Sequence, residues 1–250
     1  MTVVAPASQL PSPSVPTASR PSYAYAHWYM LAAFGVVFLG FWPTFYQPLT
    51  GGTTLRTVHG ITSTLWYVAL IVQPWLVTNG YVRWHKRVAI GVIALLPVLC
   101  VTALMTTRIM LAKSALPPPV RPLIAYLDIT ITALFVTAFI LGLLNRRVPA
   151  AHKRYMASTS LMGFLPSLTR YISGTFAINP LVAIGYSFYI VDIILVALIV
   201  VDWRNGERRR WAYPIALGTH VAVQLLMMPV SMSAWWVAFC GWFAGAPLGG

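Results

Sequence analysis

Seven apolar stretches, most of them close to twenty residues long, follow one another along this 250-residue chain, and the basic residues collect in alternate connections between them. Wound as an α-helix, a stretch of that length matches the hydrocarbon thickness of a bilayer. Lipid is then the solvent for most of the surface, and every backbone polar group must find its partner inside the chain. Composition agrees, since only 8% of the residues are charged against roughly 25% in soluble domains. The reading is an all-α fold: a polytopic transmembrane helix bundle of about seven spans.

The +13 formal charge is a topology signal before it is anything else. With a cytoplasmic N-terminus, the inner side receives Arg20, Arg83, Lys86, Arg87, Arg146, Arg147, Lys153, Arg154, Arg204, Arg208, Arg209 and Arg210. The outer side receives Arg56, Lys113 and Arg121. Such an imbalance is what the positive-inside rule requires of short loops, so a nucleic-acid partner drops out and anionic lipid head groups on the cytoplasmic face take its place. Cys100 and Cys240 lie in apolar surroundings without a Cys-x-x-Cys spacing, which removes a disulfide framework and a zinc site.

The expected organisation has three parts. Residues 1–22, with six prolines among Ser, Thr and Ala, read as a disordered cytoplasmic arm. Residues 23–234 read as the seven-helix domain, with spans near 27–46, 58–78, 83–110, 123–144, 152–173, 181–201 and 213–232. Residues 235–250 read as an apolar interfacial tail, too short to cross. Pro74, Pro97, Pro166 and Pro229 fall inside spans, where a missing N–H and a ring clash kink helices. Tryptophans near the span ends fit an aromatic belt.

Four charged residues stand inside apolar segments: Arg108, Asp128, Arg170 and Asp192. On insertion scales each costs roughly 2.5 to 3.5 kcal/mol at the helix centre, so each requires a partner or a watery cavity. By depth, Arg108 pairs with Asp128 and Arg170 with Asp192. His59 lies at a similar level on the second span. A ligand-binding site in the outer half, built from His59, Arg108, Asp128, Arg170 and Asp192, is the expectation. Its arginines would hold an anionic group, and a carboxylate beside an imidazole would relay a proton. The competing reading is two ion pairs that only pin helices together.

His27, His85 and His152 open the first, third and fifth spans on the inner side. They suggest haem b, or a haem- or quinone-linked redox role, although their basic neighbours also suit solvated interface residues. A third reading is an accessory subunit of a larger membrane complex. His220, with Thr219, Gln224 and Gly218, reads first as core packing, with lining a cavity or hydrogen-bonding across helices as the alternative. No phosphate-cradling loop, no Gly-x-Ser-x-Gly elbow and no lysine in the seventh span occurs, so ATP-driven transport, serine hydrolysis and retinal chemistry are excluded.

A short motif repeats: Trp84-His85-Lys86-Arg87-Val88-Ala89 and Ala151-His152-Lys153-Arg154-Tyr155-Met156-Ala157 each open an outward-going span. Spans two and three and spans four and five therefore read as two copies of one hairpin about an axis along the membrane normal. With His59-Gly60 and Gln73-Pro74, these motifs make the chain resemble a family of uncharacterised bacterial inner-membrane proteins whose helices open with His-basic motifs. The resemblance covers spans two to seven and implies a multi-pass protein of the bacterial inner membrane, without an activity. A more distant similarity to transmembrane b-type cytochromes rests on the histidines.

Overall fold

The computed structural model describes residues 25–48, 52–113, 116–207 and 211–245. Among them are nine α-helices and no strand: α1 (Ala26–Phe41), α2 (Thr54–Thr78), α3 (Val82–Lys113), α4 (Arg121–Leu144), α5 (Pro149–Met162), α6 (Phe164–Phe176), α7 (Pro180–Arg204), α8 (Ala212–Ser231) and α9 (Ala234–Ala244). Six of these helical segments are long and apolar enough to cross a membrane, the first of them α1 continued through Trp42–Tyr46. The broken pair α5–α6 makes the remaining traverse, which gives the bundle of about seven spans expected from hydropathy. The proline-rich arm of residues 1–22 lies outside the described residues.

Helix ends follow from local chemistry. Thr53 caps α2 by accepting from the Arg56 N–H at 3.4 Å, and Asn179 caps α7 by accepting from the Leu181 N–H at 2.9 Å. Pro43 cannot donate to the α-helical ladder, and α1 ends in a π-helical turn over Trp42–Tyr46. Gly80, at φ +80°, makes the tight α2–α3 turn.

α2, α3 and α8 run on past Pro74, Pro97 and Pro229. The break falls instead in the fifth span, at Gly163, three residues before Pro166. The Pro166 ring excludes the carbonyl four residues back, that of Met162. Two side chains of α2 stitch the break: Tyr67 Oη donates to the Ser160 carbonyl at 2.5 Å and Trp66 Nε1 donates to Thr159 Oγ1 at 3.3 Å. A methyl group on Gly163 would collide with the Tyr67 hydroxyl, so glycine is required where that hydroxyl reaches in.

The break also moves the chain sideways. α5 packs on α1, α2, α4 and α8, in the middle of the inner half, whereas α6 packs chiefly on α1 and α7 at the periphery. Around this centre the other helices follow in the order α1, α2, α3, α4, α8, α7, α6. One buried cluster, with Trp66 edge-on to Phe135 and Phe139, fills the middle; a second, with Leu111, Tyr126, Phe188, Trp236 and Cys240, binds α9 to the outer ends of α3 and α4. The remaining faces are apolar and open, as at Ile193 (68% exposed) and Leu225 (71%), which suits lipid contact.

Candidate functional site

In the outer half, polar side chains of α2, α3, α4 and α6 lie near one another. From α2, His59 places Nδ1 3.1 Å from Thr102 Oγ1 of α3. From α4, the Asp128 carboxylate accepts from Thr107 Oγ1 of α3 at 3.0 Å. From α6, the Arg170 guanidinium lies 4.7 Å from the centre of the Phe41 ring and donates one N–H to the Pro166 carbonyl at 2.9 Å. Arg170 is exposed and, among the described residues, has no carboxylate within salt-bridge distance. It still interacts electrostatically with Asp128, with His59 and with Arg56 of the first turn of α2. Arg170 thus lies between one carboxylate and a second arginine, and the local balance is positive.

Arg108 and Asp192 stand apart from this group. The Arg108 guanidinium reaches Gly245, just past α9, where a methyl group would lie 3.3 Å from Nη2. Asp192 belongs to a different contact: its Oδ1 lies 2.8 Å from Nδ1 of His220, and its Oδ2 accepts from Gln224 Nε2 at 2.7 Å. The sequence-based partners for the two arginines, Asp128 for Arg108 and Asp192 for Arg170, form no ion pair. The reason is rotational. Depth in the membrane can be counted along a span, but the face a residue presents depends on helix packing, and the break at Gly163 re-aims Arg170.

The inner end holds two arrangements that the linear pattern conceals. Arg154 of α5, only 2% exposed, makes a two-pronged contact with Asp202 of α7: Nε to Oδ2 at 2.5 Å and Nη2 to Oδ1 at 2.7 Å. Glu207 Oε1 approaches the same guanidinium at 3.2 Å. The linear pattern counts Arg154 only among the inner basic residues; Asp202 and Glu207, two of the chain's four acids, are what pair it.

The second arrangement joins His85 of α3 and His152 of α5, whose ring centres are 6.4 Å apart with planes at 87°. His152 Nδ1 lies 2.8 Å from the Gly142 carbonyl. A carbonyl only accepts, so Nδ1 carries a proton, and in the neutral ring the lone pair is then on Nε2. The Gln73 side chain reaches His85 Nδ1 at 2.5 Å with its amide nitrogen, while its oxygen accepts from the Ala89 N–H at 3.1 Å. His27 does not join them; its ring packs on Trp28 at 5.3 Å, and its Nδ1 is buried without a partner.

Fold and polar groups together define a polytopic helical membrane protein with a charged cluster in its outer half and a histidine pair at its inner end. Neither family models nor curated proteins nor solved structures contain a match to this chain.

Proposed function

We propose that the protein binds a small or amphiphilic ligand carrying a carboxylate or phosphate group, and passes it through the bundle from the outer half. Arg170 carries this reading: an exposed arginine in a membrane-embedded setting, held on an aromatic face and, among the described residues, with no carboxylate within salt-bridge distance. Its remaining N–H groups suit a planar or phosphate anion, for which arginine is better shaped than lysine. Arg56 adds attraction from the outer rim, while His59 and Asp128 supply hydrogen-bonding and proton-accepting groups opposite. Arg108 and Asp192, grouped with them on depth alone, are left outside the binding group.

The Asp192–His220–Gln224 contact gives the same reading a protonatable group deeper in the bundle. We further place the protein in a bacterial inner membrane, on its likeness to the His-basic helix-opening motifs.

Binding is tested with purified protein in nanodiscs, using palmitate and inorganic phosphate as probes. Thermal stabilisation by at least one probe is expected for the wild type and for Arg108→Gln, and its loss for Arg170→Gln. Equal stabilisation of wild type and Arg170→Gln would remove Arg170, and the proposal, from consideration.

A further inference from the structure

Helices α2, α3, α4 and α5 form a square in the inner half. α2 packs on α3 and α4 on α5, as hairpin partners; α3 packs on α4 and α2 on α5, as neighbours between hairpins. α3 and α5 are then the diagonal pair, and they do not pack along one another. The repeated motif places His85 and His152 at equivalent positions of the two hairpins. Equivalent residues near a pseudo-twofold axis meet each other, as identical residues do across a true one. Ring contact between these two histidines is that meeting.

Their separation is informative. With metal–nitrogen bonds of about 2.0 Å and a ring centre about 1.1 Å behind each nitrogen, trans ligands place ring centres roughly 6.2 Å apart, and tetrahedral neighbours roughly 5 Å apart. The observed 6.4 Å fits the trans case. His152 offers Nε2 with its Nδ1–H fixed on the Gly142 carbonyl, the arrangement that orients metal-bound imidazoles. For His85, ligation through Nε2 would turn the Gln73 amide over, so that its oxygen accepts the Nδ1 proton.

The surroundings select the kind of metal. Among the described residues no third Cys, His, Asp or Glu joins the pair. Arg83, Lys86, Arg87, Arg146, Arg147 and Lys153 crowd the adjacent helix ends and turns. A bare cation would meet two neutral ligands and a ring of like charges. An iron porphyrin brings four nitrogen ligands of its own, a flat apolar body to lie between the diagonal helices, which do not pack along one another, and two carboxylates for the basic inner rim.

We propose that His85 and His152 are the trans axial ligands of an iron porphyrin held between the α2–α3 and α4–α5 hairpins, with its propionates toward the basic inner face. This site shares no residue with the outer charged cluster, so either proposal can fail without the other.

The test is absorbance spectroscopy of the full-length protein purified from haem-replete cells and then titrated with haemin in detergent. Stoichiometric haem with a six-coordinate, low-spin spectrum in both oxidation states is expected. His85→Gly and His152→Gly should each lose the low-spin spectrum and regain it on addition of free imidazole, whereas His27→Ala should leave it unchanged. Imidazole rescue requires a folded protein, and a monodisperse elution profile checks this independently. The proposal is overturned by a wild type that takes up no stoichiometric haem by either route. It is equally overturned by a low-spin spectrum that survives both glycine variants, or by stoichiometric copper in place of haem.

Discussion

A charged residue in this protein is defined by its neighbours more than by its depth. Arg154 follows Arg146, Arg147 and Lys153 in the sequence, yet its guanidinium is enclosed and shared between Asp202 and Glu207. Removing one member of such a set leaves an uncompensated buried charge, which typically costs about 3–5 kcal/mol. Arg154→Met takes the guanidinium from the buried Asp202, leaving Lys153, 4.0 Å from Glu207, as the remaining cation, and is expected to destabilise within that range. Asp202→Leu leaves Arg154 with Glu207 and the Ala150 carbonyl, and should destabilise less. Thermal denaturation in detergent, followed by circular dichroism, ranks the two; the opposite order would mean that Glu207 contributes little to holding the guanidinium. Asp192 is the counterpart in mid-membrane. Its partner His220 was legible only as a packing or helix-bridging group, because a histidine and an aspartate on adjacent spans have no fixed spacing in sequence. The same limit explains why depth alone gives Asp128 the partner Arg108 when Thr107, one residue away, is the hydrogen-bond donor. Neighbouring residues on α3 point in directions that differ by about 100°, and composition does not say which one faces α4.

The fifth span shows how one element creates a site. Hydropathy marks it as a single stretch, but Gly163 and Pro166 divide it, and the two halves pack against different partners. The close crossing of α1 and α6 depends on Gly40, where a methyl group would overlap the Ser167 backbone. Gly40→Leu should therefore push α6 away from α1 at a cost of about 1–3 kcal/mol, the usual range for forced overpacking. Because Phe41 and Arg170 lie on these two helices, the same substitution should weaken probe stabilisation at Arg170. Measuring both quantities on one sample separates the effects: lost stability with intact probe binding would mean that the ligand group does not rely on the α1–α6 contact. Helix number and approximate limits were readable because lipid demands long apolar runs. The break was not readable as a break, since Pro74, Pro97 and Pro229 carry the same local signal inside continuous helices. What distinguishes Pro166 is the tertiary support: Trp66 and Tyr67 from α2 satisfy the groups at the end of α5.

At the scale of the molecule, the charge asymmetry, the outer charged cluster and the inner histidine pair all depend on one orientation in the membrane. The positive-inside rule gives the expectation of an N-terminus inside, with Thr53 and the His59 region outside and the α2–α3, α4–α5 and α7–α8 connections inside. Single cysteines report this directly. Cys240 is fully buried and Cys100 partly buried, so both are first replaced by alanine to give a silent background. Thr53→Cys, ahead of α2, should react with a membrane-impermeant maleimide in intact cells. Asn205→Cys, at the inner end of α7, should react only after the cells are opened. The reverse pattern would invert the molecule: the Arg170 cluster would face the cytoplasm, and the histidine pair with its basic rim would face outward. Anion recognition at Arg170 would survive that inversion as chemistry, but its ligand would have to be drawn from the cytoplasmic side. Agreement with the expected pattern fixes the direction in which any ligand enters, and puts the histidine pair together with its basic rim on the cytoplasmic side.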